Sequence, residues 1–360
     1  MWLSLIHICV LVELAHAPYR SEDDIYQLAF SINWSDWFTP RETFRVDLSA
    51  QASPLRSLNF ATLRVKDAVA DHFRDRHGVR PSVATRGSDL RVFAHLSATH
   101  CTVSIDTSGE PLFKRGWRED KGDAPLKESL AAAILAAAEW DGSLPLYDPC
   151  CGSGTLVIEA AQIAAGIAPG SRRRFAFERL RGHRRDAWDA IRKEAAQQER
   201  APAKGLFGSD VAHRMVDFAR RNAERAGVGA YIEWRGGDAL ERMPPCAEPG
   251  VLVLNPPYGE RIGVLGATRS ARQSVQMRRA PDEPPGASDG DDEAFFERLA
   301  AHWKRHYAGW TAWVLTPDTA LPSKMRLKAT RRVPLFNGPI ECRLLKFSMV
   351  QGSAREPRGV

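Results

Sequence analysis

Leu146-Tyr147-Asp148-Pro149-Cys150-Cys151-Gly152-Ser153-Gly154-Thr155 is the stretch whose reading decides the fold. Its apolar opening reads as a buried parallel strand that stops abruptly at polar, Pro and Gly residues. Gly152 and Gly154 let the backbone turn tightly and approach a ligand, and Thr155 to Ala165 runs on as a helix. Strand, glycine turn and helix in that order open a βαβ unit. Open α/β sheets bind their ligands outside the carboxyl ends of such strands.

The same grammar continues downstream. Lys204-Gly205-Leu206-Phe207-Gly208-Ser209-Asp210 reads as a second strand ending in an acid, followed by a helix over Val211 to Ala226 closed by Gly227. Tyr231 to Trp234 is a third strand, trailed by Asp238, and Val251-Leu252-Val253-Leu254 a fourth, which runs into Asn255-Pro256-Pro257-Tyr258-Gly259. Ala294 to His306 returns to helix and Trp310 to Thr316 to strand, while Arg331 to Leu335 and Cys342 to Met349 fit a closing antiparallel pair. Strands alternating with helices at this spacing predict an α/β fold with a Rossmann-like, mostly parallel sheet.

Upstream the pattern is mixed. Thr43 to Leu48, Leu90 to Leu96 and Cys101 to Ile105 read as strands, and Leu58 to Arg76 as a helix with Leu63, Ala68, Val69 and Phe73 on one side. These form a small α+β domain. The chain therefore divides into residues 1–118 and 119–352, with a basic insertion at about 170–203 and a disordered loop at about 268–292 in the second part. The apolar opening Met1 to Ala17 has no Lys or Arg ahead of it and is broken by His7 and Glu13, so it reads as part of a domain whose start is absent rather than as a signal peptide.

Six scattered cysteines without C-x-x-C spacing suggest neither a metal site nor a disulfide framework, which fits a reduced, cytoplasmic setting. No stretch reads as a membrane span. A net charge of +6 is mild, but the basic residues cluster, which suits a polyanionic partner. Arg56, Arg64 and Lys66 lie on or before the first long helix, where Asp67, Asp71 and Asp75 equally support a plain solvated face. Lys114-Arg115-Gly116-Trp117-Arg118 either contacts phosphates and stacks a base or packs the linker down. The arginines of 172–185, interleaved with Phe175, Phe177 and Trp188, form either a nucleic-acid patch or a solvated arm.

The strand ends suggest a chemistry. An acid at the end of the second strand, Asp210, can accept hydrogen bonds from both hydroxyls of a ribose, and Asp238 one strand on can reach an adenine edge. Asn255 offers a side-chain carbonyl and Pro256 a backbone carbonyl to the two N–H groups of an amine. Pro256 and Pro257 remove competing N–H donors, and Tyr258 supplies a face for a flipped base.

Asp148-Pro149-x-Cys151-Gly152-Ser153-Gly154-Thr155, Asn255-Pro256-Pro257-Tyr258-Gly259-Glu260-Arg261, Ala124 to Ala133, Val65-Lys66-Asp67-Ala68 and Ile32-Asn33-Trp34 resemble class I S-adenosylmethionine-dependent methyltransferases that modify exocyclic or amide nitrogens. The nearer resemblance is to the bacterial large-subunit ribosomal RNA guanine-N2 methyltransferases, the L half of the bifunctional K/L enzymes. It implies an N-terminal THUMP-type RNA-binding domain and N2-methylguanine in 23S ribosomal RNA, free or in a pre-ribosomal particle, as product. It further implies that Glu128, Asp148, Pro149, Cys150, Gly152, Ser153, Gly154, Asp210, Asp238 and Asn255 bind the cofactor and that Asn255 to Tyr258 hold the guanine. Arg56, Arg64, Lys66, Lys114, Arg115, Arg118 and Arg261 would contact RNA, and no metal would take part. The chain departs from the family in starting inside the THUMP-like domain, in stopping before a second methyltransferase, and in the length of Thr268 to Asp292. A transfer RNA guanine-N2 methyltransferase with a THUMP domain shares these features, protein-glutamine and DNA-adenine methyltransferases share the core alone, and a non-catalytic RNA-binding or ribosome assembly factor is the reading from another class.

Overall fold

A computed structural model describes residues 9–122, 125–256 and 289–350. The described chain forms two compact units. The first comprises residues 9–112 together with 173–194, and the second residues 113–172 and 195–350.

The first unit is a four-stranded sheet carrying two helices. Its elements are β1 (Leu11–Pro18), α1 (Glu22–Ser31), β2 (Phe44–Ala50), α2 (Leu58–His77), β3 (Leu90–Leu96) and β4 (His100–Asp106). The strand order is β1-β4-β3-β2, antiparallel except for the β2–β3 pair. Alternation in β3 buries Leu90, Val92, Ala94 and Leu96, the face that helices cover. Into it pack Ile25 and Ala29 of α1, Val65, Ala68, Val69 and Phe73 of α2, and the fully buried Trp34, Phe38 and Phe44. Ser21 caps α1 in a reciprocal box with Asp24, and Ser57 caps α2. Of the basic residues expected to contact RNA here, Arg64 pairs with Asp23 and lies over the Tyr26 ring at 4.2 Å, and Lys66 pairs with Asp67 at 2.7 Å. Arg56 is exposed.

The basic insertion, expected within the second domain, divides between the units. Phe177 N–H donates to the Thr107 carbonyl at 3.0 Å, Arg181 N–H to the Trp37 carbonyl at 2.8 Å, and Leu180 enters the core of the first unit. A helix not named in the sequence reading, α5 (Arg185–Gln197), follows.

The second unit is built on a seven-stranded sheet. Its strands are β5 (Leu146–Asp148), β6 (Leu206–Asp210), β7 (Ile232–Gly236), β8 (Val251–Leu254), β9 (Thr311–Thr316), β10 (Arg331–Asn337) and β11 (Ile340–Ser348), in the order β10-β11-β9-β8-β5-β6-β7. β5 to β9 pair parallel, and β11 pairs antiparallel with both β9 and β10, as the closing pair was expected to do. Strand order reverses between β5 and β8. Leu146, Val251 and Val253 point into one core with α3 (Glu128–Ala137), α4 (Thr155–Ala164) and α6 (His213–Arg225). Tyr147, Leu252 and Leu254 point into another with α7 (Asp289–His306). Coverage on both faces is why these strands are continuous apolar runs. Residues 289–292 of the expected loop open α7; the rest of it, 268–288, lies outside the described residues.

Gly154 precedes α4 with φ +87°, and a Cβ there would stand 2.8 Å from the Trp234 ring and 2.9 Å from Ala219 Cβ. Gly152 has φ +53° but open space where a Cβ would be. Gly154→Ala should therefore cost about 2–5 kcal/mol, a left-handed backbone plus overpacking. Gly152→Ala should cost only about 1–2 kcal/mol. Urea unfolding of the two variants checks this; equal losses would mean that the contact with Trp234 and Ala219 carries no weight.

Candidate functional site

The carboxyl ends of β5, β6 and β7 are joined by hydrogen bonds from loop N–H groups. Asp148 ends β5 and accepts from Cys150 N–H at 3.0 Å. Asp210 ends β6 and accepts from Gly152 N–H and Ala212 N–H, both at 2.9 Å. Cys151 N–H donates to the Ser209 carbonyl at 2.9 Å, and Gly237 N–H, just past β7, to the Asp210 carbonyl at 3.0 Å. Asp238 accepts from Leu240 N–H at 2.9 Å. The glycine loop is thus fastened across to the second strand, with the open side of Gly152 left clear.

A shallow cleft opens here, lined by Pro149, Cys150, Asp210, Val211, Asp238, Ala239 and Phe295. Burial pushes the Asp148 carboxyl up to about 8; the Cys150 N–H opposes this and the Asp210 charge adds to it. Burial also raises Asp210, against the pull of its two N–H donors. Neither carboxylate makes an ion pair among the described residues. The Cys150 and Cys151 thiols are raised well above their ordinary value by burial, so neither is poised as a thiolate.

Of the residues expected to bind a cofactor, Pro149, Cys150, Asp210 and Asp238 line the cleft, and Asp148, Gly152, Ser153 and Gly154 form the loop beside it. Asn255 is half-buried and Pro256 buried, just beyond β8, the strand that pairs with β5 through Leu146↔Val251 and Tyr147↔Leu252. Pro257, Tyr258 and Arg261 lie outside the described residues.

The linker residues require correction. Arg115 and Arg118, expected on an RNA-contacting surface, turn inward. Arg118 donates to Glu128 Oε1 at 3.0 Å, to the Leu126 carbonyl at 2.9 Å and to Thr155 Oγ1 at 2.9 Å, and Arg115 pairs with the buried Glu159 at 3.3 Å. Glu128, expected to touch cofactor, is 4% exposed and engaged by Arg118. Trp117 is 1% exposed and sits in the core with Leu126 and Leu130, so it stacks on no base. Buried carboxylates demand cationic partners, and the nearby arginines meet that demand. Lys114 is exposed.

Sequence reading missed Asn222. Fully buried on α6, it donates from Nδ2 to the carbonyls of Ser153 at 3.1 Å and Asp120 at 2.8 Å, while its Oδ1 accepts from Glu119 and Asp120 N–H at 3.3 Å. Arg221 and Arg225 clamp the Asp120 side chain and hold its carboxyl well below the usual range. The glycine loop and the linker are thereby one hydrogen-bonded body. The available signal was an amide on the apolar face of Val216, Ala219 and Ala223.

Raised carboxyl pKa values have a sign. Asp148 holds its proton more tightly folded than unfolded, so the stability it contributes is full below the ordinary value of 3.8 and is lost as pH rises through about 8. The urea midpoint of the ligand-free protein should therefore fall between about pH 5 and about pH 8. Asp148→Asn should fall less; an equal fall would acquit Asp148.

Comparison with known proteins accords with this geometry. Residues 19–106 match the THUMP domain, and residues 115–275 match the RMKL-like methyltransferase domain family UPF0020. The chain is 36% identical, over its whole length and 48% of the relative's, to a ribosomal RNA large subunit methyltransferase K/L of Shewanella oneidensis. It is 37% identical, over 94% of its length and 43% of the relative's, to that of Psychromonas ingrahamii. It spans about half the length of these curated relatives. The crystal structure of a methyltransferase complexed with SAH aligns with 96% of this chain and 85% of its own, at TM-score 0.78 and 27% identity. A methylase from Clostridium difficile 630 aligns with 98% and 85%, at TM-score 0.75 and 28% identity. The chain accordingly joins a THUMP domain to an RMKL-like methyltransferase domain and is similar, over about half their length, to the ribosomal RNA large subunit methyltransferases K/L.

Proposed function

We propose that this chain transfers the methyl group of S-adenosylmethionine to the exocyclic N2 amine of a guanine in 23S ribosomal RNA, free or within a pre-ribosomal particle. The observation that carries the reading is the fastening of the Gly152 loop to Asp210 where strand order reverses, with Asn255 ending the neighbouring strand. The cofactor fits these residues: the open side of Gly152 leaves backbone room, and each Asp210 oxygen, already accepting one N–H, keeps a lone pair for a ribose hydroxyl. Asp148 and Asp210, buried without a cationic partner among the described residues, suit a positively charged ligand, since a nearby cation favours their ionised forms. The THUMP match and the ribosomal RNA named for the relatives support an RNA substrate.

When bound, the cofactor supplies an electrophilic methyl on a positively charged sulfur. The chain's task is then to bring a poor nucleophile to it in line. The guanine N2 lone pair is delocalised into its ring; acceptors on both N–H groups favour a pyramidal nitrogen with a directed lone pair. The Asn255 side-chain carbonyl and the Pro256 backbone carbonyl serve as those acceptors, and they strengthen as positive charge develops on nitrogen. The pyrrolidine ring of Pro256 contributes no N–H to compete.

Methyl-labelled cofactor given with 23S, 16S and transfer RNA lacking their modifications should place label on 23S RNA as N2-methylguanine. Label confined to transfer RNA would reassign the substrate. Asp210→Ala should weaken cofactor binding by about 1.5–3 kcal/mol, tenfold or more, and unchanged affinity by calorimetry would remove Asp210 from the site. Asn255→Ala should collapse turnover while cofactor affinity holds, with Asn255→Asp retaining partial activity; parental turnover in Asn255→Ala would end the amine-orienting role.

A further inference from the structure

Residues 173–194 interrupt the methyltransferase half of the sequence yet belong to the first unit, and their cations form two sets. Arg173 donates to the carbonyls of Ser108 and Pro111, each at 2.9 Å, Arg179 pairs with Asp89, and Arg181 reaches the Ser35 carbonyl at 2.7 Å. These three fasten the segment down. Arg174, Arg184, Arg192 and Lys193 are exposed and make no ion pair among the described residues. Arg185 has only an exposed 3.7 Å contact with Asp189 one turn on.

The helix that displays most of them, α5, buries no residue at all. Packing supplies most helix stability in proteins, and this helix of 13 residues packs mainly through Trp188, which leaves most of its surface to solvent. Arg185 and Arg192, seven apart, share a face. The segment holds eight Arg or Lys against four Asp or Glu, in a chain whose net charge is +6. Its aromatic rings are committed elsewhere: Trp188 stands edge-on to Phe175 at 5.6 Å and to Phe177 at 5.0 Å. Charge without a free stacking face suits phosphate oxygens, which position a nucleic acid, rather than base edges, which specify it. A membrane surface would need a broad apolar face, and α5 offers little beyond Ile191, 56% exposed.

We propose that the arm at residues 174–193 is a phosphate-binding surface for the backbone of the substrate RNA, adding affinity and orientation but no choice of base. This rests on the RNA reading above. Four cations on the arm should contribute to the salt dependence of binding, each phosphate neutralised adding about 0.7–0.9 to the slope of log affinity against log salt.

The test measures binding of the full chain to 23S RNA transcribed in vitro across a salt series. Combining Arg174→Ala, Arg184→Ala, Arg192→Ala and Lys193→Ala should weaken binding by tenfold or more at about 0.1 M salt and flatten the slope by roughly 3, with SAH affinity unchanged. A control of equal charge loss, Arg298→Ala, Arg305→Ala, Lys328→Ala and Arg332→Ala, should keep the parental slope, and Lys at the three arginine positions of the arm should restore it. A parental slope in the arm variant, an equal loss in the control, or failure of the Lys version to restore binding overturns the proposal, as does capture by anionic vesicles with RNA affinity intact. If the parent binds RNA but methylates none, the enzymatic reading fails while the arm is still decided; if it binds none, both fall.

Discussion

Two carboxylates placed at the ends of adjacent strands organise the second unit. The loop after β5 must turn sharply, and while Cys151 N–H meets the Ser209 carbonyl of β6, the N–H groups on either side of it turn to side chains. Asp148 and Asp210 take up those of Cys150 and Gly152, so the turn is held by side chains from below and from the neighbouring strand. The cost is burial of two acids, which raises both pKa values, and that of Asp148 further through the Asp210 charge. Neither acid makes an ion pair among the described residues, so a positive charge placed beside them would favour their ionised forms.

Around that loop the supports are polar and buried. Asn222 joins it to the linker at Asp120, while Arg118 joins the linker to Glu128 and to Thr155 at the start of α4. Each is a buried group whose removal strands a partner, so these contacts specify one arrangement more than they add stability. Trp117 and Leu126 pack under them.

The strands of the second unit were legible because burial on both faces leaves an uninterrupted apolar run ending in a polar residue, as at Asp148, Asp210 and Asn255. The alternation of Leu90 to Leu96 was legible for the complementary reason, one covered face. What could not be read was the destination of charge. Arg115 and Arg118 look like surface residues until Glu159, 44 positions away, and Glu128 are brought beside them. α1 and α5 were overlooked although Ile25, Leu28 and Ala29 in the one and Ala187, Trp188, Ile191 and Ala195 in the other stand at helical spacing, and the insertion's allegiance to the first unit depends on contacts such as Phe177 with Thr107 that no local pattern encodes.

That allegiance bears on how the protein is made. A chain leaves the ribosome from its N-terminus, and domains ordinarily fold as they emerge. Here Leu180, which completes the core of the first unit, emerges only after α3, β5 and α4 of the second. The two units must therefore mature as interleaved nascent structures, and a stop or a slow stretch between Leu112 and Arg173 leaves the first unit unfinished rather than merely alone.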